Sequence, residues 1–170
     1  MNDRDAWLRM DDARLLATCR EKRYRASGPG GQRRNKVETA VRLRHEPTGL
    51  TVQAEEARSL EENRRKALRR LRERLALHVR GAFDLDSPSL PPEFRACRRD
   101  GRIAINPKNE TYPVVVATAL DALAAARGSY AAAARALGVT TSQLVRFLRA
   151  NPAAWAAASR LRAGPPAERP

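Results

Sequence analysis

The stretch that decides the fold is Ala40-Val41-Arg42-Leu43-Arg44-His45, then Glu46-Pro47-Thr48-Gly49, then Leu50-Thr51-Val52-Gln53-Ala54. Its outer thirds alternate apolar and polar residues, the period of a strand with one buried face. Its middle third is turn chemistry, so residues 40–54 are predicted to form a β-hairpin with Arg42 and Arg44 on one face. Downstream, Ser59-Leu60-Glu61-Glu62 is a capping box that opens a long helix. Leu60, Ala67, Leu68, Leu71, Leu75 and Val79 recur at three-to-four spacing along one side of it. Arg64, Arg65, Arg69, Arg70, Arg72 and Arg74 take the other sides, with Glu61, Glu62 and Glu73 placed for local pairing. Upstream, Asp11 and Asp12 cap a short helix through Arg20, and Lys22–Ala26 is extended.

Beyond this unit the pattern turns helical. Pro113 suits a first helical position, and the apolar run to Ala126 ends at Gly128. Ser129 caps a second helix, Tyr130–Leu137, which Gly138 ends. Thr140-Thr141-Ser142-Gln143 caps a third helix to about Ala150, and Asn151-Pro152 starts a fourth ending near Arg162. The expected fold class is therefore α+β: a small antiparallel β-sheet packed by a long helix, then a small all-α unit. The expected domains are 1–80, an irregular segment 81–112 containing Ser87-Pro88-Ser89-Leu90-Pro91-Pro92, a helical unit 113–163, and a short tail 164–170.

Charge follows the same division. The chain has 170 residues, with 33 Lys+Arg against 19 Asp+Glu, a formal net charge of +14. Residues 21–80 hold 17 basic and eight acidic residues, and residues 113–170 seven against two, whereas residues 1–20 and 81–112 are balanced. A surplus of this size makes a polyanion, most simply nucleic acid, the default partner. The hydrophobic fraction of 42% argues against wholesale disorder. No apolar run reaches the roughly 20 residues of a membrane span, and the N-terminus lacks signal-peptide character. Cys19 and Cys97 stand far apart without CxxC or His-rich company, so neither a metal site nor a disulfide framework is expected. The plain expectation is a reduced, cytoplasmic protein without a cofactor.

The segment that carries chemistry is Arg25-Ala26-Ser27-Gly28-Pro29-Gly30-Gly31-Gln32-Arg33-Arg34-Asn35-Lys36. Its glycines let the backbone reach positive φ and approach a ligand closely. Walker A spacing is missing, and no βαβ context supports a dinucleotide fingerprint. With Gly30-Gly31-Gln32 and Asn35-Lys36 come Ala40-Val41-Arg42-Leu43, His45-x-Pro47-Thr48-Gly49, Arg58-Ser59 and Asn63-Arg64. On these residues, 21–79 resembles the catalytic domain of class I peptide chain release factors and their ribosome-rescue relatives. The resemblance implies hydrolysis of the ester joining peptide to tRNA at the peptidyl-transferase centre, with large-subunit rRNA and peptidyl-tRNA as partners. It implies Gly30, Gly31 and Gln32 as the catalytic residues, and methylation of the Gln32 side-chain amide by a glutamine methyltransferase.

The residues suit that chemistry. A backbone N–H can stabilise the oxyanion of ester hydrolysis and has no pKa to tune. The Gln32 side chain orients or excludes water. Arg33, Arg34, Asn35 and Lys36 beside the loop, with Arg42 and Arg44 on the hairpin, are the expected rRNA and tRNA contacts. His45, at the turn, is read as structural rather than as a general base. Only 20 residues precede the motif unit, too few for a codon-reading domain, so codon-independent ribosome rescue is expected over stop-codon reading. The basic tail of stand-alone rescue relatives is not seen in 164–170.

In the helical unit, Ala131–Ala134, Leu137-Gly138-Val139, Leu144 and Leu148 resemble a helix-turn-helix. Thr140, Thr141, Ser142, Gln143 and Arg146 then face outward, the last four as a second candidate nucleic-acid surface. RNA is the expected target, with DNA out of place beside such a loop. A small Ala-rich bundle that docks on protein remains the other reading of these helices. The second function reading is a non-catalytic nucleic-acid-binding or regulatory protein in which the helix-turn-helix dominates.

Overall fold

The computed structural model describes residues 3–25 and 38–163. The order is α1 (Arg4–Arg9), α2 (Asp12–Ala17), β1 (Cys19–Tyr24), β2 (Ala40–His45), β3 (Thr51–Ala54), α3 (Leu60–His78), α4 (Pro92–Cys97), β4 (Arg98–Arg99), β5 (Arg102–Ile103), α5 (Tyr112–Ala125), α6 (Tyr130–Leu137), α7 (Thr141–Arg149) and α8 (Pro152–Ala163). They form two compact units, one of Arg9–Leu75, the other of the N-terminal residues to Leu8 with the chain from Ala76 onward.

The first unit is α+β, as the alternation in 40–54 requires. Its antiparallel sheet has the order β1-β2-β3, with β2 central. Val41, Leu43, Val52 and Ala54 are buried, as are Ala67, Leu68, Leu71 and Leu75 on one side of α3. Each buried leucine contributes about 2 kcal/mol. The sequence places α2 and β1 less accurately: the helix stops at Ala17, where the Thr18 N–H and hydroxyl both return to the Leu15 carbonyl, and β1 starts at Cys19. At the other end α3 finishes at His78, one residue short of Val79.

The arginines of α3 pair differently from the local expectation. Arg64 reaches Glu21 of β1 at 2.7 and 2.8 Å, Arg70 reaches Glu56 and the Gln53 carbonyl, and Arg72 reaches Asp12 at 2.7 Å and the Met10 carbonyl. Lys66–Glu62 is the pairing of i,i+4 type on this helix among the described residues. Long arginine stems thus tie α3 to the strands and to α2, which helix periodicity alone does not reveal.

The second unit is built around α5. Every residue from Tyr112 to Leu123 is buried, so this helix is apolar around its whole circumference. Phe94, Leu137, Leu144, Phe147 and Leu148 share its core, and Tyr112 meets Phe147 edge-on at 5.9 Å. One charge sits within it. Asp121 is paired with the buried Arg4 at 2.7 Å and with Arg80 at 3.1 Å, and its carboxylate accepts from the Gly81 N–H at 3.0 Å. Burial raises the Asp121 carboxyl, against the pull of Arg4 and Arg80, and draws Arg80 down to about 10.

Residues 92–103, inside the expected irregular segment, form α4 and a two-stranded ribbon. Asp100 and Gly101 both have positive φ, at 48° and 71°, the geometry of a tight Asp-Gly hairpin turn. Helices α6, α7 and α8 agree with their sequence signals. The Ser129 hydroxyl accepts from the Ala132 N–H, that of Thr140 from the Gln143 N–H, and Gly138 ends α6 at φ +66°.

Candidate functional site

Strands β1 and β2 fix the two ends of the candidate catalytic loop. Their ladder runs from the Cys19–His45 pair to the Tyr24–Ala40 pair. The chain therefore leaves the sheet after Tyr24 and returns beside it at Ala40, its ends one strand spacing apart. Gly30, Gly31, Gln32, Arg33, Arg34, Asn35 and Lys36 lie between these points, outside the described residues.

What anchors the returning end is Asn63. This side chain is fully buried near the start of α3. Its amide donates to the Thr39 carbonyl at 2.7 Å and to the Ala57 carbonyl at 3.0 Å, and its oxygen accepts from the Ala57 N–H at 2.9 Å. A buried amide used this fully joins the loop end, the β3–α3 connection and the helix. Its neighbour Arg64 holds β1 through Glu21. That arginine's hydrogen bonds keep the Glu21 carboxyl below the ordinary glutamate value.

The departing end is framed by Tyr24. Its hydroxyl donates to Glu55 at 3.0 Å, and the Arg42 guanidinium lies 5.6 Å from its ring centre. Burial, with the Glu55 carboxylate, raises the Tyr24 phenol. Arg42 also donates to the Gln53 side chain at 3.3 Å.

Antiparallel register puts residues that face each other on the same side of a sheet. Arg20 lies opposite Arg44, and Lys22 opposite Arg42. All four are exposed. The outer face of the sheet thus carries a grid of four cations, of which the hairpin alternation identifies Arg42 and Arg44. In Cys19–Tyr24 the positions that alternate with Arg20 and Lys22 include the charged Glu21 and Arg23, so no apolar alternation marks this strand in the sequence.

His45 is fully buried, and its Nδ1 lies 2.8 Å from the Thr48 hydroxyl. Burial lowers its pKa, so it is a neutral brace of the 46–49 turn. That agrees with the structural reading of this residue. Both cysteines are free, and burial raises both thiols. Among the described residues no group of three or more His, Cys, Asp or Glu could hold a metal, and no helix is long and apolar enough to cross a membrane.

In the second unit Thr141, Ser142 and Arg146 are exposed on α7, while Gln143 is half-buried. The Thr140 hydroxyl is taken up as the cap of that helix and lies 3.2 Å from Ser142 Oγ. Arg149, one turn beyond Arg146, lies over the Trp155 ring at 4.7 Å.

Residues 16–83 match the family model of the RF-1 domain. Peptide chain release factor 1 of Gluconacetobacter diazotrophicus is 50% identical over 70 residues, covering 38% of this chain and 20% of that protein. Peptide chain release factor 1 of Streptococcus thermophilus is 54% identical over 55 residues, 32% of this chain and 15% of that protein. Peptide chain release factor 2 of Acidovorax sp. (strain JS42) is 58% identical over 52 residues, 31% and 14% respectively. The chain thus spans a fifth or less of the length of these relatives, and the similarity to class I release factors holds over the segment that carries Gly30-Gly31-Gln32.

Proposed function

We propose that this chain hydrolyses the ester of peptidyl-tRNA at the ribosomal peptidyl-transferase centre, independently of any stop codon. The observation that carries this reading is the RF-1 domain match over residues 16–83, with Gly30, Gly31 and Gln32 intact inside it. The described frame supports it. A loop that must enter a crowded RNA cavity needs fixed ends, and the Tyr24–Ala40 pair with the Asn63 clamp supplies them.

In the reaction a water attacks the ester carbonyl carbon, and the bond to the tRNA ribose oxygen breaks. The water's protons end on the leaving ribose hydroxyl and in solvent, and the peptide leaves as a carboxylate. Charge grows on the carbonyl oxygen, where the Gln32 N–H is the donor and the two preceding glycines allow the backbone to present it. The Gln32 side chain positions water, and its amide is the atom a glutamine methyltransferase partner would modify. Arg33, Arg34, Asn35 and Lys36, with Arg42 and Arg44, contact rRNA or tRNA phosphates.

The test uses purified full chain and ribosomes loaded with peptidyl-tRNA, with the A site empty of mRNA, holding a sense codon or holding a stop codon. Release from the empty-site complex at a rate at least equal to the stop-codon complex is expected. Release confined to stop codons overturns the codon-independent part. Binding without release in all three complexes favours the non-catalytic reading, in which α6 and α7 form the dominant nucleic-acid surface.

A further inference from the structure

A cavity of about 670 Å³ opens on the second unit, with Ser87, Ser89, Arg95, Arg98, Arg135 and Gly138 in its wall. The three arginines come from three elements: α4, the first residue of β4, and α6. All are exposed, and among the described residues none is paired with a carboxylate. Exposed arginines are commonly just solvated, so convergence alone decides little. The seating of Arg98 goes further.

Arg98 donates through one terminal nitrogen to the Leu137 carbonyl at 3.3 Å, at the negative end of α6. A Cβ on Gly138 would stand 2.3 Å from that same nitrogen. The left-handed helix stop at φ +66° is what requires Gly138, and the tip of the exposed Arg98 side chain lies against it. Held in this way, Arg98 keeps donors beyond the one spent on Leu137. Arg95 and Arg135 bring further donors to the same cavity, and the hydroxyls of Ser87 and Ser89 line it. Three cations around one cavity, with no acid among them, repel until an anion enters.

The geometry points to this cavity as a binding site for backbone phosphates of RNA. Guanidinium forks and hydroxyls suit phosphate oxygens. The cavity is open and is larger than one phosphate group needs. Phosphate contacts of this kind position a protein on a strand without reading its bases. The choice of RNA as the polyanion rests on the release-factor reading of residues 16–83, whereas the phosphate site itself does not.

The experiment measures binding rather than hydrolysis, so failure of the catalytic reading leaves it interpretable. The full chain is titrated with a fluorescently labelled RNA hairpin, and with the DNA hairpin of the same sequence, across a range of KCl concentrations. Arg95→Ala/Arg135→Ala is expected to weaken RNA binding about tenfold and to reduce the slope of log affinity against log salt by roughly 1.4–1.8. Lys108→Ala/Arg160→Ala removes the same charge away from the cavity and is expected to shift the slope far less. Should the first pair unfold, Arg95→Gln/Arg135→Gln keeps length and polarity and carries the same comparison. Equal effects of the two pairs would overturn the site. So would binding of the DNA hairpin alone. Displacement of the RNA by submillimolar inorganic phosphate at constant ionic strength would mark a small-anion site and overturn it as well.

Discussion

The side-chain amide of Asn63 donates to the Thr39 carbonyl at 2.7 Å, one residue before β2 begins. Helix α3 thereby holds the returning end of the candidate catalytic segment. Asn63→Ala leaves the Thr39 carbonyl and the Ala57 N–H and carbonyl without this partner in a buried place. Unfolding in urea is expected to show a loss of about 2–4 kcal/mol. Faster hydrogen exchange at the Ala57 amide would locate the change.

The Glu21–Arg64 pair gives the first unit a specific acid sensitivity. Arg64 lowers the folded pKa of Glu21, so the unfolded chain binds the proton more tightly than the folded one. Stability from this pair is present above the ordinary glutamate value, about 4.3, and is lost as pH falls through the lower folded value. Glu21→Gln is expected to remove about 1 kcal/mol near neutral pH, with a difference from wild type that narrows steadily below pH about 4. Urea titrations at several pH values check the sign: a difference that widens on acidification contradicts it.

In the second unit, Asp121 compensates two arginines at once. Asp121→Ala takes a buried carboxylate from Arg80 and from Arg4, which keeps its pairing with Asp5 at 2.9 Å, a change worth about 3 kcal/mol. For a chain of this size that corresponds to a fall in melting temperature of roughly 10 °C. The triple replacement Arg4→Met/Arg80→Met/Asp121→Leu, which removes all three charges and keeps apolar volume, is expected to recover part of it. Calorimetry on both variants makes the comparison.

The outer face of the sheet makes a kinetic prediction. Lys22→Ala/Arg44→Ala removes two neighbouring cations without touching the core. The expected result is a rise of about tenfold in the KM for ribosomal complexes at low salt, shrinking as salt is added, with kcat little changed. A fall in kcat at unchanged KM would place these residues in the chemistry instead.

Much of this architecture was readable from residue patterns. The hairpin 40–54 and the capped helices α6 and α7 follow from signals within a few residues: alternation, turn chemistry, hydroxyl caps and glycine stops. What local pattern could not reach is tertiary. Arg64, Arg70 and Arg72 find carboxylates in other elements. The burial of Asn63 depends on a carbonyl 24 residues away in sequence. The ribbon β4–β5 was marked by Asp100-Gly101, but flanking arginines masked the alternation that normally accompanies such a turn. Of the candidate site, the motif was legible as sequence, and Arg42 and Arg44 as hairpin residues. Arg20 and Lys22 came into view only with the register of β1 against β2.

The central claim is that the Gly30-Gly31-Gln32 segment of this chain cleaves peptidyl-tRNA. Single-turnover peptide release from ribosomes stalled on truncated mRNA tests it most directly, with wild type and Gly31→Ala compared at equal ribosome occupancy. Rapid release by wild type, and loss of at least two orders of magnitude with Gly31→Ala, is the predicted result, since one misplaced oxyanion donor costs about that much. No release by wild type, or undiminished release by Gly31→Ala, would contradict it.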